Sequence, residues 1–326
     1  MSSASVVPRP GTTAPPPPHR AIARRGDPRR RRTSLARRRQ RGAMIFLAPA
    51  VLVLGVGAGY PLVTLLHMSF SDVQVENLFQ TWTGNGLANY RSLRSLPEFH
   101  TVVVNTIGFV AVVLIGTVTV GLIAALTLLK RLRVSRFVQA LMIMVWVLPP
   151  IVVGSLWKFM FYGDGLINNV LAALGMHDPI GFISDPNWAL WSVAAVSTWV
   201  SIPFAAVVFR AALLDIPAQL LEAASIDGAS RAQTLRLIVL PLLRPTLLVV
   251  AVLTVVNAFR SFDLIFVMTG GGPGTASATL PFLGYQLAFQ QFQYGIGAAA
   301  ATISMVVVAV LAIGYVWLSR RELKSA

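Results

Sequence analysis

Six apolar runs, at about 43–70, 101–129, 137–162, 188–214, 246–268 and 292–318, each approach or exceed the length that carries an α-helix across a bilayer. A chain with that pattern has few structural choices. In hydrocarbon every backbone N–H and C=O must be satisfied from within the protein, which leaves helices or a closed barrel, and no alternating strand pattern competes. Composition agrees, with 55% hydrophobic and 12% charged residues over 326 positions. The expectation is an all-α polytopic membrane protein with six transmembrane helices spanning 43–318.

The net charge of +15 invites a nucleic-acid reading, but its placement argues against one. Of 27 basic residues, 23 fall in segments on one side of the six runs: the arm 1–42, the connection after the second run, the stretch 210–244 and the tail 319–326. Arg91, Arg94 and Lys158 fall opposite, and Arg260 lies within a run. That asymmetry predicts a cell-membrane protein with both termini in the cytoplasm and no nucleic-acid partner. The arm, rich in proline and then arginine, cannot bury apolar surface and is expected to be disordered, resting against anionic membrane lipid.

Catalytic signatures are missing. There is no cysteine, and His19, His67, His100 and His177 lack metal-ligand spacing, so no metal or other cofactor is expected. No GxxxxGK[ST] loop is present; Gly270-Gly271-Gly272-Pro273-Gly274 has no lysine and lies on the outer side. The expectation is a non-enzyme. The outer connections 71–100, 163–187 and 269–291 read as polar, turn-forming loops able to touch an external partner.

Two stretches carry more information. The first is 215–245. Asp215 can cap a helix whose first turn takes Pro217, Gly228 suits the left-handed position that ends it, and Ser230 with Gln233 reads as a capping box opening a second helix that Pro241 stops. Leu220, Leu221 and Ala224 give the first helix an apolar face, Ala223 and Ala224 permit close approach, and Glu222 adds an anionic handle. Such a pre-folded knob suits a socket on a soluble protein. The second stretch is the fifth run, where Thr254, Asn257 and Ser261 share a helical stripe flanked by Arg260 and Asp263. Ionisable groups at membrane depth normally face water or a partner, so these five residues are candidates for a hydrophilic path; the competing reading is a static Arg260–Asp263 pair or a contact of the two with a neighbouring subunit, with Asp263 close enough to the outer surface to be solvated. Asn105 reads as an interhelical hydrogen-bonding residue.

Glu222-Ala223-Ala224, three residues, Gly228, nine residues, then Ile238-Val239-Leu240-Pro241 resembles the EAA signature of ABC-importer permease subunits at each of its fixed positions. The segment 262–277, FDLIFVMTGGGPGTAS, is similar to the region after the fifth helix in the first permease of two-permease sugar importers of the maltose and glycerol-3-phosphate type. The resemblance covers roughly 43–321. It implies a MetI-like core and a heterodimer with a second, homologous permease. Two cytoplasmic ABC ATPase subunits, an extracytoplasmic solute-binding protein and a sugar substrate complete the implied system. In such systems the EAA loop seats in the ATPase, which would make Glu222, Ala223, Ala224 and Gly228, with neighbouring Leu221 and Asp227, the docking residues. A polyol or glycerol phosphate is the alternative substrate. An ion-coupled secondary transporter is the rival class, and it predicts inverted halves with paired broken helices that the sequence does not display.

Overall fold

The computed structural model describes residues 28–129 and 133–325. Two compact units partition the chain, Met1–Tyr60 and Pro61–Ala326. The first unit is helical from Pro28, where α1 (Pro28–Ser69) begins, so part of the arm expected to be disordered is helix: arginine is a good helix former and proline fits a first turn. Residues 1–27 lie outside the described residues.

The second unit continues after α1 with a short antiparallel pair, β1 (Ser71–Asp72) and β2 (Thr83–Gly84), then α2 (Ala88–Ser95) and α3 (Phe99–Thr127). The connection 71–100, which the sequence presents as loop, is therefore partly ordered. Asn89 holds it together, its Nδ2 donating to the carbonyls of Ser69 and Ser71 at 3.1 and 2.8 Å. On α3, Val102, Phe109, Val113, Gly121 and Ala125 are buried on one face, while Ile107, Ile115 and Ile123 are exposed on the other. An apolar helix with an exposed apolar face belongs in hydrocarbon.

The third apolar run is not one helix. It forms α4 (Arg133–Val147) and α5 (Pro150–Met160), and Val134–Val147 and Pro150–Met160 meet at 103°. Leu148-Pro149-Pro150 causes the break: a residue before proline is pushed out of helical geometry, and Pro149 sits at φ −58°, ψ 134°. Counting that pair once gives up to six candidate spans, five of them single helices. A short α6 (Leu166–Ala173) interrupts the connection 163–187, which the sequence presents as a turn-rich loop.

The fourth run is α7 (Ala189–Leu214), with Pro203 inside it. It packs along α3 through small residues. A β-carbon added at Gly121 would stand 2.7 Å from Ala205 Cβ, and one at Gly116 would stand 2.7 Å from Thr198 Cγ2. The core grows from this seam. At one end Phe109, Val193, Ile265, Met268, Phe282 and Leu283 cluster, and toward the other Phe209, Leu213, Leu243 and Val250 do.

Past α7 come α8 (Ala218–Ile226) and α9 (Arg231–Thr234). Asp215 does not cap α8; it closes α7 in right-handed helical geometry, φ −81°, ψ −10°, and Pro217 takes the N-cap position. Nor does Pro241 stop the second short helix. One wide π turn, Leu235–Val239, joins α9 to α10 (Leu240–Phe259) in a helical path from Arg231 to Phe259. A proline in a regular helix forfeits a hydrogen bond and its ring strikes the carbonyl four residues back. The wide turn, in which Leu240 N–H reaches the Leu235 carbonyl, takes up that conflict.

The fifth run breaks as well, ending at Phe259 and resuming as α11 (Asp263–Met268). Phe262, in the break, lies 4.8 Å from Tyr285 and 5.5 Å from Phe282 between ring centroids, drawn into an aromatic cluster on α12 (Leu280–Tyr285). A second π turn, Gln286–Gln290, leads toward α13 (Tyr294–Ser325), which starts two residues after the expected Phe292. Asn105 on α3 donates to the carbonyls of Thr275, Ala276 and Ala278 at 3.1, 3.0 and 3.3 Å, pinning the glycine-rich loop as an interhelical tie.

Candidate functional site

The two helix breaks open onto one cavity of about 530 Å³. Trp146, Leu148, Pro149 and Pro150 line it from the α4–α5 corner, and Thr254, Asn257, Arg260, Ser261 and Asp263 from the α10–α11 corner. Ser197, Ser201 and Phe204 of α7 close a third side. The second arms of both corners pack together: a β-carbon on Gly154 of α5 would meet Val267 of α11 at 3.2 Å, so glycine sets that approach.

The five polar residues singled out in the fifth run therefore share one wall, by a route different from a helical stripe. Thr254 and Asn257 project from α10, Arg260 is its C-cap, Ser261 lies in the break, and Asp263 opens α11, where a carboxylate suits the positive end of the helix. Among the described residues Arg260 and Asp263 form no ion pair with each other, and the side chains of Asn257, Arg260 and Asp263 make no hydrogen bond. Broken backbone at membrane depth is tolerated where it is packed in protein or faces water. Both corners face this cavity. Trp146 and Phe204 add an aromatic wall, stacked with centroids 5.8 Å apart. An amide, hydroxyls, a guanidinium and a carboxylate beside aromatic faces can exchange hydrogen bonds with a polyhydroxylated solute and stack against its C–H face.

Sequence reasoning missed the other two walls. Leu148-Pro149-Pro150 was a legible break, and Ser197 with Ser201 recurs at i, i+4, Ser201 Oγ donating to the Ser197 carbonyl at 2.8 Å. Trp146 and Phe204 carry no local signal.

The knob is a second locus. Gly228 has φ +73°, its N–H reaches the Ser225 carbonyl at 3.2 Å, and Ala229 N–H reaches the Ala224 carbonyl at 2.9 Å, the paired bonds of a Schellman motif. Ser230 and Gln233 then close a capping box, with Ser230 N–H to Gln233 Oε1 at 2.7 Å and Gln233 N–H to Ser230 Oγ at 3.3 Å. Together these fold 218–234 into a tight, self-satisfied corner. Leu220, Leu221, Glu222, Ala223, Asp227 and Gly228 are exposed. Ala224 is not: at 6% exposure it packs inside the turn whose bond its carbonyl accepts. Ile226, 86% exposed, is the most exposed apolar side chain of the corner and falls off the face that the sequence suggested.

Residues 117–324 match the family described as binding-protein-dependent transport system inner membrane component. The trehalose/maltose transport system permease protein MalF of Thermococcus litoralis is 35% identical over 236 residues, 72% of this chain and 79% of that one. The diacetylchitobiose uptake system permease protein DasB of Streptomyces coelicolor is 32% identical, covering 80% and 83%. Among solved structures, a bacterial ABC transporter involved in alginate import superposes with a TM-score of 0.73 at 23% identity, over 89% of this chain and 99% of that one, a likeness of fold.

Proposed function

The chain belongs to the inner membrane components of binding-protein-dependent transport systems, and from that premise we propose that it is the permease subunit through which an ATP-driven importer passes a sugar into the cytoplasm. The observation that carries the reading is the cavity built at two helix breaks, lined by the unengaged side chains of Asn257, Arg260 and Asp263 and by aromatic rings. Relatives bearing disaccharide-transport names support the sugar class. A second homologous permease, two ATPase subunits and an extracytoplasmic binding protein complete the assembly, with ATP hydrolysed on those separate subunits. The knob, at Leu221, Glu222, Ala223, Asp227, Gly228 and Ile226, docks on an ATPase subunit. Closure of the ATPase pair moves the knob. Because α9, the π turn and α10 form one helical path, that movement reaches the wall bearing Asn257 and Arg260. Alternating access then follows from two arrangements of the bundle, each favoured by a different nucleotide state.

Arg260 supports a second reading, a phosphorylated polyol as solute, since a guanidinium pairs with phosphate; a glycerol-3-phosphate permease of Agrobacterium fabrum is 32% identical over 270 residues. Uptake into cells or proteoliposomes carrying the whole system separates the two. Asn257→Ala should lower sugar uptake about tenfold, the size of one or two lost hydrogen bonds at about 1 kcal/mol each, without changing recovery of the complex. Arg260→Gln should be mild for a neutral sugar and severe for a phosphorylated polyol. Normal uptake of every solute in both variants would remove the cavity from the path.

Orientation has its own test. Reporter fusions within 231–236 should report cytoplasm, and fusions near Trp82 or Gly272 the outer side, with both termini cytoplasmic. An external signal from the 231–236 fusion would overturn the assignment of the knob.

A further inference from the structure

We infer that Asn105 and Thr106 on α3 are positioning residues for the solute cavity, setting the α10–α11 corner through the glycine-rich loop and the aromatic rings beyond it. Neither lines the cavity. Asn105 spreads one amide over the carbonyls of Thr275, Ala276 and Ala278, so a loop 170 residues further along the chain is held at three points. Thr106, at 4% exposure, is engaged on both sides: its hydroxyl donates to the Val102 carbonyl at 2.7 Å and accepts the N–H of Leu280 at 2.8 Å. That N–H is the first of α12, and Thr279 at the N-cap offers it no side chain. The cap of α12 thus comes from α3, a neighbour in space and not in sequence.

The loop between them is tied to itself as well. Ser277, fully buried, has its hydroxyl 2.7 Å from both Thr269 Oγ1 and the Gly272 carbonyl, and its N–H reaches the Gly271 carbonyl at 3.1 Å. Gly271, at φ +82°, has no room for a β-carbon, which would run into the Phe282 ring. Phe282 is fully buried and stacks on Phe262 with ring planes 28° apart, while Tyr285 meets the same ring edge-on at 65°. Phe262 is the N-cap of α11 and stands between Ser261 and Asp263, both in the cavity wall. Hydrogen bonds and ring contacts therefore run without a gap from α3 to the corner. Groups that bind a solute work only when held within about 0.5 Å of their productive geometry, and that precision comes from the contacts behind them. The functional half of the inference rests on the cavity being the solute's path; the positional half does not.

The chain has no cysteine, so a single introduced thiol can report on each wall. Ser261→Cys at the corner and Ser201→Cys on α7 would each be modified with a charged methanethiosulfonate in the full-length protein in detergent. Asn105→Ala and Thr106→Val should each raise the rate at Ser261→Cys about fivefold, the scale of one lost hydrogen bond, and leave the rate at Ser201→Cys unchanged. Thr106→Ser, which keeps the hydroxyl, should return the parental rate. In the assembled transporter, Asn105→Ala should lower sugar uptake about fivefold. An unchanged rate at Ser261→Cys in both variants, or an equal rise at both reporters, the mark of a bundle merely loosened, would overturn the inference. So would unaltered uptake in Asn105→Ala where Asn257→Ala lowers it. If Asn257→Ala is also without effect, the cavity reading fails, and the thiol rates, which need no solute, still decide the positioning. Should Thr106→Val fail to fold, Asn105→Ala decides alone.

Discussion

Gly228→Val and Glu222→Lys should each reduce uptake to near background while the protein still inserts in the membrane, with ATPase recovery in a pull-down falling tenfold or more. At Gly228, φ is +73° and nothing lies within 4 Å of a would-be β-carbon, so the penalty is conformational and not steric crowding. A side chain in the left-handed region costs about 1 kcal/mol, more when branched, which is enough to untwist a corner secured by a few backbone bonds. Asparagine tolerates that region, so Gly228→Asn should keep most activity; that contrast separates backbone geometry from surface chemistry. Glu222 is exposed and anionic, and reversing it against a basic group of the ATPase sacrifices an interaction whose truncation alone costs about 2–5 kcal/mol when desolvated. Normal ATPase recovery and uptake in both variants would reduce the corner to a connector.

Gly121→Leu should be the most damaging single change in the bundle, leaving little monodisperse protein after solubilisation. A β-carbon at Gly121 would stand 2.7 Å from Ala205 Cβ and 3.5 Å from backbone atoms of Ala205 and Ala206, so the obstacle is the neighbouring helix itself. Overpacking of a close seam costs about 1–3 kcal/mol even when neighbours can give. Gly121→Ala should lie at the milder end, and adding Ala205→Gly should restore it, because the two methyl groups compete for one space. Gly314→Ala, where no atom lies within 4 Å, serves as the control and should be neutral or slightly stabilising. Failure of the Gly121→Ala, Ala205→Gly pair to recover thermal stability would mean that the seam is not the limiting contact.

Much of this was readable from the chain. That the apolar runs are helical follows from hydropathy, because backbone satisfaction in lipid leaves helix as the default. The Schellman turn and capping box at 228–233 were legible because their bonds run between residues a few positions apart. What escaped lies in competition between local and distant forces. Pro241 looks like a stop, yet the chain stays helical because a wide turn absorbs the conflict. Phe262 carries no breaking signal, yet an aromatic cluster contributed by α12 pulls it out of helical register. The five polar residues do line one cavity, but around a corner and not along the straight helix that the sequence suggested. Pro149-Pro150 was in plain view, and composition outweighed it.

The π turn at Leu235–Val239 also sets a fixed angular offset within one rod. Because it spends one residue more on a turn than an α-helix does, everything that follows stands about 100° around the axis from where an unbroken α-helix of the same residues would put it. Tightening that turn into regular helix would swing Thr254 and Asn257 away from the cavity by that angle, although Arg231–Thr234 stayed in place. The side that α10 presents to the cavity is therefore decided about four turns away, in a stretch that lines no part of it.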